Sequence, residues 1–246
     1  MDRILITGGT GGLGRPTVDL LRSTGRDIRV LSRSRGTDHV LADLTTGAGL
    51  ARALDGIDTV LHLATTRKSD AAQTRRLLDA SRAASVTHFV YMSIVGVDAI
   101  PFPYYVDKLE CERLVEESGV PFTILRATQF HDFVAAFLRI KLPVTLALDV
   151  SCQPIAVEEV ATRLVELAAA APAGRVADIG GPQQLTLREL ANEWRRAHGT
   201  RRPVWTVWIP GKTMAAFKRG HHMTPMPGYG TRTFAEYAAK EAAKRR

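Results

Sequence analysis

A glycine-rich segment near the start of the chain constrains the fold more than any other feature. Residues 4–6 are Ile-Leu-Ile, a short apolar run typical of a buried strand, and residues 7–14 follow as Thr-Gly-Gly-Thr-Gly-Gly-Leu-Gly. The spacing of Val18, Leu20 and Leu21 then predicts an amphipathic helix. A strand, a glycine turn and a helix in this order are typical of a dinucleotide-binding unit.

The glycines of this segment fit two spacings. Gly8, Gly11 and Gly14 give GxxGxxG, whereas Gly9, Gly11 and Gly14 give GxGxxG. In either spacing the glycines keep the turn tight, let the backbone approach a pyrophosphate and let the helix pack closely on the strand. The helix N-terminus offers free N–H groups and a positive dipole end to the same anion. We therefore predict that the cofactor contacts are made by Gly8, Thr10, Gly11, Gly12, Leu13 and Gly14.

The composition is that of an ordinary globular protein. The chain has 246 residues, of which 45% are hydrophobic and 24% charged. Its cysteines, Cys111 and Cys152, are far apart and have no zinc-ligand spacing, so we predict neither a disulfide framework nor a metal site. The N-terminus leads directly into a strand, and charged residues or prolines interrupt every apolar stretch, so we expect a cytoplasmic protein without a membrane span.

The chain carries a formal net charge of +8, which would suit a polyanionic partner. However, the arginines are spread along the sequence, and no basic run is interleaved with aromatic residues. Attraction of an anionic cofactor explains the charge more simply than nucleic-acid binding. The expected partner is a small-molecule substrate, and the expected state is a monomer or homodimer.

The first half of the chain alternates between strand and helix patterns. Predicted strands cover residues 27–31, 39–41, 59–63, 88–92 and 122–125, and predicted helices cover 50–54, 70–84 and 104–118. This alternation is typical of parallel βαβ units. It predicts an α/β protein with a Rossmann fold, in which the parallel sheet is doubly wound.

The pattern loosens after residue 128. We predict helices at 129–139, 157–170, 234–244 and from the capping box of Thr186 and Glu189 to residue 198, a strand or loop at 144–148 and a strand at 175–179. Residues 203–230 are predicted to be irregular, with a short helix near 211–219. Residues 1–246 are thus expected to form a single domain, with a dinucleotide-binding core (1–130) and a small C-terminal substrate-binding annex threaded back onto the sheet (131–246).

The end of the second strand bears on the choice of dinucleotide. An NAD site usually has an acidic residue there, but residues 31–35 are Leu-Ser-Arg-Ser-Arg. Because a guanidinium binds phosphate through charge-assisted hydrogen bonds, we predict NADP(H). Arg33 is the expected main ligand of the 2′-phosphate and Arg35 the second, with Ser32 or Ser34 assisting. The alternative is a solvated basic turn.

Other cofactor contacts are expected at the ends of the next strands, because ligands of such sheets bind outside the carboxyl ends. Asp43 and Leu44 follow the third strand, where Asp43 could accept a hydrogen bond from adenine. Ala64, Thr65 and Thr66 follow the fourth strand and are expected beside the pyrophosphate and the ribose. Each could equally be an ordinary loop residue.

Three residues further along the chain could carry chemistry. Ser93 comes directly after the fifth predicted strand, and Tyr104 and Lys108 share a helix face at i and i+4. An ammonium beside a tyrosine favours the phenolate and lowers the tyrosine pKa. Ser93 could then donate to a substrate oxygen, Tyr104 could exchange a proton with it, and Lys108 could also hold the ribose. The alternative is a surface helix with a packed tyrosine and a solvated lysine.

Together these segments resemble the atypical short-chain dehydrogenase/reductase superfamily and, more narrowly, its NmrA-like NAD(P)H-binding branch. The resemblance spans about residues 1–200 and rests on residues 7–14, 31–33, 43–44, 92–93, 104–108, 125–130, 153–161 and 180–182. It implies a Rossmann fold that binds NADP(H), with Ala127, Thr128 and Gln129 near the nicotinamide. It also favours the Gly8, Gly11 and Gly14 spacing.

The branch contains reductases and catalytically idle redox sensors. This chain has Ser93, Tyr104 and Lys108 at the positions of the reductases' serine, tyrosine and lysine, which favours an NADP(H)-dependent oxidoreductase. It has no asparagine in helix 70–85, where many relatives have one for a proton relay. Two alternatives stay open: an NADP(H)-binding regulator without turnover, and a nucleotide-sugar epimerase or dehydratase.

The substrate is expected to be a mostly apolar carbonyl, quinone or conjugated compound, since small-molecule pockets are mainly apolar. The residues predicted to line its site are Val95, Phe102, Gln129, Phe130, His131 and Trp205. For most of these, an ordinary core position is the simpler interpretation. His131 could serve as an extra acid or base, or it could be a hydrogen-bonded histidine at a helix start.

Overall fold

The fold is described from a computed structural model, which describes residues 3–36, 38–66, 69–140 and 142–244. The chain divides into two compact units. The first unit comprises Met1–Ser93, Pro103–Arg126 and Val157–Ala177, and the second comprises Ile94–Phe102, Ala127–Ala156 and Asp178–Arg246. The expectation of a single domain stays a prediction.

The helices and strands follow in chain order. The strands are β1 (Ile4–Thr7), β2 (Ile28–Ser32), β3 (His39–Leu41), β4 (Thr59–His62), β5 (His88–Ile94), β6 (Phe122–Ala127), β7 (Thr145–Leu148), β8 (Ser151–Cys152), β9 (Gly174–Arg175), β10 (Leu185–Thr186) and β11 (Val204–Val207). The helices are α1 (Gly14–Ser23), α2 (Leu50–Leu54), α3 (Asp70–Ala83), α4 (Pro103–Glu117), α5 (His131–Leu138), α6 (Val157–Ala169), α7 (Leu187–Ala197), α8 (Lys212–Lys218) and α9 (Phe234–Ala243).

The first unit is built on a parallel sheet of seven strands in the order β3-β2-β1-β4-β5-β6-β9. The order reverses between β1 and β4, which is where doubly wound sheets bind their ligands, outside the carboxyl ends of the strands. Every residue of β1 and of β4 is buried, as expected for central strands with helices on both faces. The predicted Rossmann fold is therefore confirmed.

Helix α4 shows how local sequence sets an element in this unit. It ends at Glu117, and Gly119 just beyond it has a φ of +73°, a left-handed conformation that favours glycine. The helix was predicted from residue 104 to residue 118, so its bounds differ by one residue at each end. This accuracy matters because α4 carries Tyr104 and Lys108.

The second unit has smaller sheets. Strands β8 and β10 pair antiparallel, and β7 and β11 pair parallel. Its core gathers Val134, Leu138, Leu190, Trp194 and Phe234 from α5, α7 and α9. Helix α7 begins with the predicted capping box, in which Thr186 and Glu189 satisfy each other's backbone N–H groups.

The sequence-based bounds were wrong in several places. Strand β6 runs to Ala127, two residues beyond its predicted end, and β8 and β10 were not predicted. Strand β5 extends to Ile94, so Ser93 lies within the strand and not after it. Strand β9 ends at Arg175, and only an isolated bridge at Ile179 continues the predicted strand. Helix α5 begins at His131, two residues later than predicted. Strand β11 lies in the region predicted to be irregular; its middle residues are exposed, so it lacks the apolar alternation of a half-buried strand.

Among the described residues, no helix is both long and apolar enough to span a membrane.

Candidate functional site

The turn after β1 needs glycine at two positions. Gly8 has a φ of +71°, and a Cβ there would lie 2.6 Å from the backbone nitrogen of Ala64. A Cβ on Gly14 would lie 2.6 Å from the Cα of Gly9. A Cβ on Gly12 would meet no described atom within 4 Å. Backbone atoms therefore exclude a Cβ at the first and last glycines of the GxxGxxG spacing, whereas a Cβ on Gly9 would meet a side chain, Cγ1 of Val30 at 2.8 Å.

The N-terminus of α1 is open to an anion. Leu13 occupies the N-cap position without a side-chain hydrogen bond, and the first turn contains no acidic residue. The backbone N–H of Gly11 donates to the Gly8 carbonyl at 3.0 Å, which fixes the turn, and Thr10, Gly11 and Gly12 are exposed. An uncapped helix end beside a tight glycine turn is the geometry that binds phosphate.

The loop after β2 presents two cations. Arg33 and Arg35 are exposed, and within the described ranges neither guanidinium has a hydrogen-bond or ion-pair partner. The Ser32 hydroxyl accepts from the backbone N–H of Ser34 at 3.1 Å and lies 3.3 Å from the Ser34 hydroxyl. The serines thus order the loop, and both arginines are exposed on it.

Residues 43–44 and 64–66, also predicted to contact the cofactor, make contacts within the protein. Asp43 Oδ1 accepts from the backbone N–H of Thr45 at 2.8 Å, and Leu44 is buried in the core. The backbone N–H of Ala64 donates to the Thr7 hydroxyl at 3.2 Å, which joins the ends of β1 and β4. These contacts fix the backbone at the carboxyl edge of the sheet.

Lys108 is a buried cation on α4. Its Nζ donates to the Tyr91 hydroxyl at 3.0 Å and to the Met92 carbonyl at 3.4 Å, and it lies 3.8 Å from Asp70 Oδ2. Burial lowers the Lys108 pKa, while the charge of Asp70 opposes that shift. Lys108 is therefore held beneath the ends of β4 and β5 instead of being solvated.

Tyr104 lies on the same helix and is half-buried. Its hydroxyl is 3.2 Å from the Thr65 hydroxyl, which in turn donates to Asp70 Oδ2 at 2.5 Å. The neighbouring Tyr105 is buried in the core, so Tyr104 is the tyrosine of this pair that is available at the edge of the sheet. The structure thus links Tyr104 and Lys108 through Asp70.

Ser93 lies at the carboxyl end of β5, one residue after Met92. Its residue exposure is 1%, and its Oγ is buried without a hydrogen-bond partner among the residues that the structure describes. Strands β4 and β5 are neighbours, with His62 beside Tyr91. Ser93, near the end of β5, and Thr65, in the loop after β4, therefore both lie on the carboxyl side of adjacent strands.

A buried histidine lies under the same edge. His62 Nδ1 is 2.6 Å from the Thr7 hydroxyl, and Nε2 is 3.0 Å from the Thr74 hydroxyl. Burial, reinforced by the charge of Lys108, lowers the His62 pKa to about 3. The imidazole is therefore neutral at physiological pH.

The remaining predicted residues lie in the second unit and mostly have structural contacts there. Thr128 Oγ1 donates to the Gln153 carbonyl at 2.5 Å, and Gln129 Nε2 donates to the His222 carbonyl at 3.0 Å. His131 is the first residue of α5, and its Nε2 is 3.2 Å from the Pro154 carbonyl.

The other side chains in this group differ in exposure. Ala127 and Val95 are buried, Phe130 is half-buried, and Phe102 and Trp205 are exposed by 42% and 60%. Their part in substrate binding stays a prediction. No group of three His, Cys, Asp or Glu side chains is placed to hold a metal ion in the described portion of the chain.

Sequence reasoning missed Asp70 and Tyr91. Asp70 lies at the start of α3, where an acidic residue looks like an ordinary helix-terminus residue. Tyr91 lies in a strand whose residues are nearly all buried, where an aromatic residue looks like core. The sequence itself does not mark these two residues. They could have been found only by considering that the fold places α3 and β5 beside the helix that carries Lys108.

Comparison with known proteins identifies the family. The sequence pattern described as NAD(P)H-binding matches residues 8–170, which include the glycine turn, Ser93, Tyr104 and Lys108. The chain belongs to the NAD(P)H-binding family. The predicted membership of an NAD(P)H-binding family is thereby confirmed, and the narrower NmrA-like branch stays a prediction.

Several curated proteins are similar to this NAD(P)H-binding chain. Quinone oxidoreductase 2 of Escherichia coli and (4-alkanoyl-5-oxo-2,5-dihydrofuran-3-yl)methyl phosphate reductase of Streptomyces griseus are each 27% identical. Both alignments cover 80% of this chain and 74% of the relative. Photosystem II assembly factor Ycf39 of Trieres chinensis is 30% identical over 52% of this chain, which spans 46% of that protein.

Solved structures show the same fold. The NADPH-dependent quinone oxidoreductase QOR2 of Escherichia coli superposes with a TM-score of 0.82 at 21% identity, covering 97% of this chain and 99% of that one. The complex of QOR2 with NADPH gives the same TM-score at 20% identity over the same shares of the two chains. At these identities the likeness establishes the Rossmann fold alone.

Proposed function

We propose that this protein is an NADP(H)-dependent oxidoreductase that acts on a mostly apolar carbonyl, quinone or conjugated substrate. Ser93 carries the proposal: it is a buried hydroxyl without a partner among the described residues, at the strand end where this fold binds its ligands. A buried donor left unpaired is costly, so such groups call for a functional explanation. A substrate oxygen would accept its hydrogen bond.

The residues present fit NADP(H). The cofactor contacts would come from Gly8, Gly14 and the uncapped start of α1 for the pyrophosphate, and from Arg33 and Arg35 for the 2′-phosphate. The guanidiniums of Arg33 and Arg35, which have no partner among the described residues, support NADP(H) over NAD(H), because a 2′-phosphate offers them a charged acceptor.

When bound, the reduced cofactor supplies a hydride to the substrate carbon. In that direction Ser93 donates a hydrogen bond to the substrate oxygen, and Tyr104 transfers its phenolic proton to it. The Tyr104 phenolate that remains regains a proton from solvent. The Lys108 ammonium favours this phenolate and would also hold the ribose.

The test follows NADPH consumption by the full chain with a panel of quinones, ketones and conjugated alkenes. Tyr104→Phe removes the proposed proton donor without removing the ring, and we expect kcat to fall by about 10²- to 10⁴-fold. Tyr105→Phe is the matched control and should keep kcat. Undiminished turnover in Tyr104→Phe would contradict the mechanism.

A second candidate is a protein that binds NADP(H) without turnover. The similarity to photosystem II assembly factor Ycf39, a protein named for assembly and not for a reaction, favours it. Tight NADPH binding with no consumption across the whole panel would support this candidate and would exclude the oxidoreductase. The neighbours named as epimerases share the fold at low identity, which carries no argument for their chemistry.

A further inference from the structure

The hydroxyl of Thr65 forms a bridge between Tyr104 and Asp70. Thr65 Oγ1 donates to Asp70 Oδ2 at 2.5 Å, and it lies 3.2 Å from the Tyr104 hydroxyl. A threonine hydroxyl has one proton, and here that proton points to the carboxylate. The hydrogen bond between the two hydroxyls is therefore donated by Tyr104 and accepted by Thr65.

Asp70 is suited to fix this direction. Burial alone would raise its pKa, but hydrogen bonds from Thr65 and Thr66 and the charge of Lys108 outweigh burial, so the Asp70 pKa is lowered. An ionised carboxylate only accepts hydrogen bonds. Its other oxygen is also occupied, because Oδ1 accepts from the backbone N–H of Thr66 at 2.7 Å and from the Thr66 hydroxyl at 3.0 Å.

The carboxylate is itself held in place from a second helix. Asp107 on α4 accepts from the backbone N–H of Asp70 at 3.1 Å and of Ala71 at 3.4 Å, at the start of α3. Lys108, the next residue on α4, lies 3.8 Å from Asp70 Oδ2. The carboxylate that orients Thr65 is thus fixed relative to the helix that carries Tyr104.

We propose that Thr65 is a positioning residue of the active site, whose hydroxyl holds the Tyr104 phenol as a proton donor. This inference rests on the proposed function and deepens it. In the resting protein Tyr104 donates to Thr65. When a substrate oxygen binds, the same proton is redirected to that oxygen, and the ring needs no further reorientation. An ordered donor of this kind lowers the entropy cost of the proton transfer.

Thr65 suits a direct test because it is exposed and lies outside the core. Thr65→Val keeps the branched shape and removes the hydroxyl, whereas Thr65→Ser keeps the hydroxyl. Thr87→Val is the matched control, since Thr87 is also an exposed threonine, and its hydroxyl donates to the Asp58 carbonyl at the opposite end of the strands.

We expect Thr65→Val to lower kcat for NADPH-dependent reduction by about tenfold, the effect of one hydrogen bond, with KM and the Kd for NADPH within about twofold. Thr65→Ser should restore kcat to within about threefold, and Thr87→Val should match the parent. Equal kcat in Thr65→Val and the parent, or equal loss in Thr65→Ser and Thr65→Val, would overturn the proposal.

A readout independent of turnover separates this proposal from the proposed function. In protein labelled with ¹³C at the tyrosine Cζ, the Tyr104 resonance is assigned by its loss in Tyr104→Phe. Removal of the Thr65 hydroxyl should move this resonance, and Thr65→Ser and Thr87→Val should leave it in place. If that pattern appears without turnover on any substrate, the bridge stands and the oxidoreductase function fails. If turnover is present and neither the resonance nor kcat responds to Thr65→Val, the positioning role fails.

Discussion

Arg126 and Glu112 form a two-point ion pair in the interior of the first unit. Arg126 Nε donates to Glu112 Oε1 at 2.8 Å and Arg126 Nη2 donates to Oε2 at 2.5 Å, and each residue is only 3% exposed. Arg126 lies on β6 and Glu112 on α4, so the pair ties the helix of Tyr104 and Lys108 to the sheet.

Breaking this pair from one side should be costly. Arg126→Met leaves the Glu112 carboxylate buried without its counter-ion, and we expect the free energy of unfolding to fall by about 3–5 kcal/mol in denaturant titrations. Joint replacement as Arg126→Met with Glu112→Leu removes both charges and should recover most of that loss.

The exposed pair of Arg113 and Glu110 on the same helix provides the control. Arg113 Nη1 and Glu110 Oε2 are 3.8 Å apart, and the two side chains are 61% and 46% exposed. Arg113→Met should therefore lower the free energy of unfolding by less than about 1 kcal/mol. Similar decreases in the free energy of unfolding for Arg126→Met and Arg113→Met would show that burial of the Arg126–Glu112 pair does not determine its contribution to stability.

His62 should make stability depend on pH. Its pKa is about 3 in the folded chain because of burial, against about 6.5 when unfolded. Between these values only the unfolded chain binds the proton, so stability is full above about pH 6.5 and decreases as the pH falls, by about 1.4 kcal/mol per unit. Burial also lowers the pKa of His88 and His222, which adds to the slope in the same direction.

Replacement of His62 isolates its contribution to the pH dependence of stability. His62→Gln keeps hydrogen-bonding groups near Thr7 and Thr74 and cannot take up a proton. The free energy of unfolding, measured from about pH 7 to about pH 5, should then depend on pH less steeply than in the parent by about 1 kcal/mol per unit. Equal slopes would mean that the imidazole is not held neutral in the folded chain.

Two glycines of the same turn should differ in their tolerance of a side chain. In Gly14→Ala the new methyl would overlap backbone atoms of Gly8 and Gly9, which cannot move aside cheaply. We expect a loss of about 1–3 kcal/mol in the free energy of unfolding without cofactor. Gly12→Ala meets open space among the described residues and should raise the free energy of unfolding by about 0.4–1 kcal/mol, because alanine lowers the entropy of the unfolded chain. The reverse order would contradict the steric requirement at Gly14.

The sequence predicted the fold well because its signals are local. The first six strands of the sheet are short segments rich in apolar residues, and the turn at 7–14 and the capping box at Thr186 are each recognised within a few residues. Strand β11 was not predicted, because it is defined by its pairing with β7 and not by a pattern of its own residues.

The candidate site was only partly predictable for the same reason. The spacing of Tyr104 and Lys108 on one helix face is local, but the partners of Lys108 come from β5 and from the start of α3. Tyr91 and Asp70 are brought to Lys108 by the packing of separate elements. No periodicity in the sequence records that packing, so the bridge through Thr65 appears only in three dimensions.

The preference for NADPH should depend on Arg33. Its guanidinium is exposed and, among the described residues, has no ion-pair partner to give up on binding. Loss of a hydrogen bond to a charged group costs about 1.5–3 kcal/mol, so Arg33→Ala should weaken NADPH binding by about 10- to 100-fold. NADH lacks the 2′-phosphate, and its Kd should stay within about twofold. Fluorescence titration of both nucleotides measures the difference.

The control separates a specific contact from general attraction by a basic protein. Arg75→Ala removes one exposed charge from α3, away from the β2 loop, and should leave the ratio of the two Kd values unchanged.

Raising the salt concentration should weaken NADPH binding by the parent more than by Arg33→Ala, because screening acts on the ion pair that the variant lacks. Equal affinity of the parent for NADPH and NADH would remove the argument for NADP(H). An equal loss for both nucleotides in Arg33→Ala would instead place Arg33 at a part that the two share, the pyrophosphate.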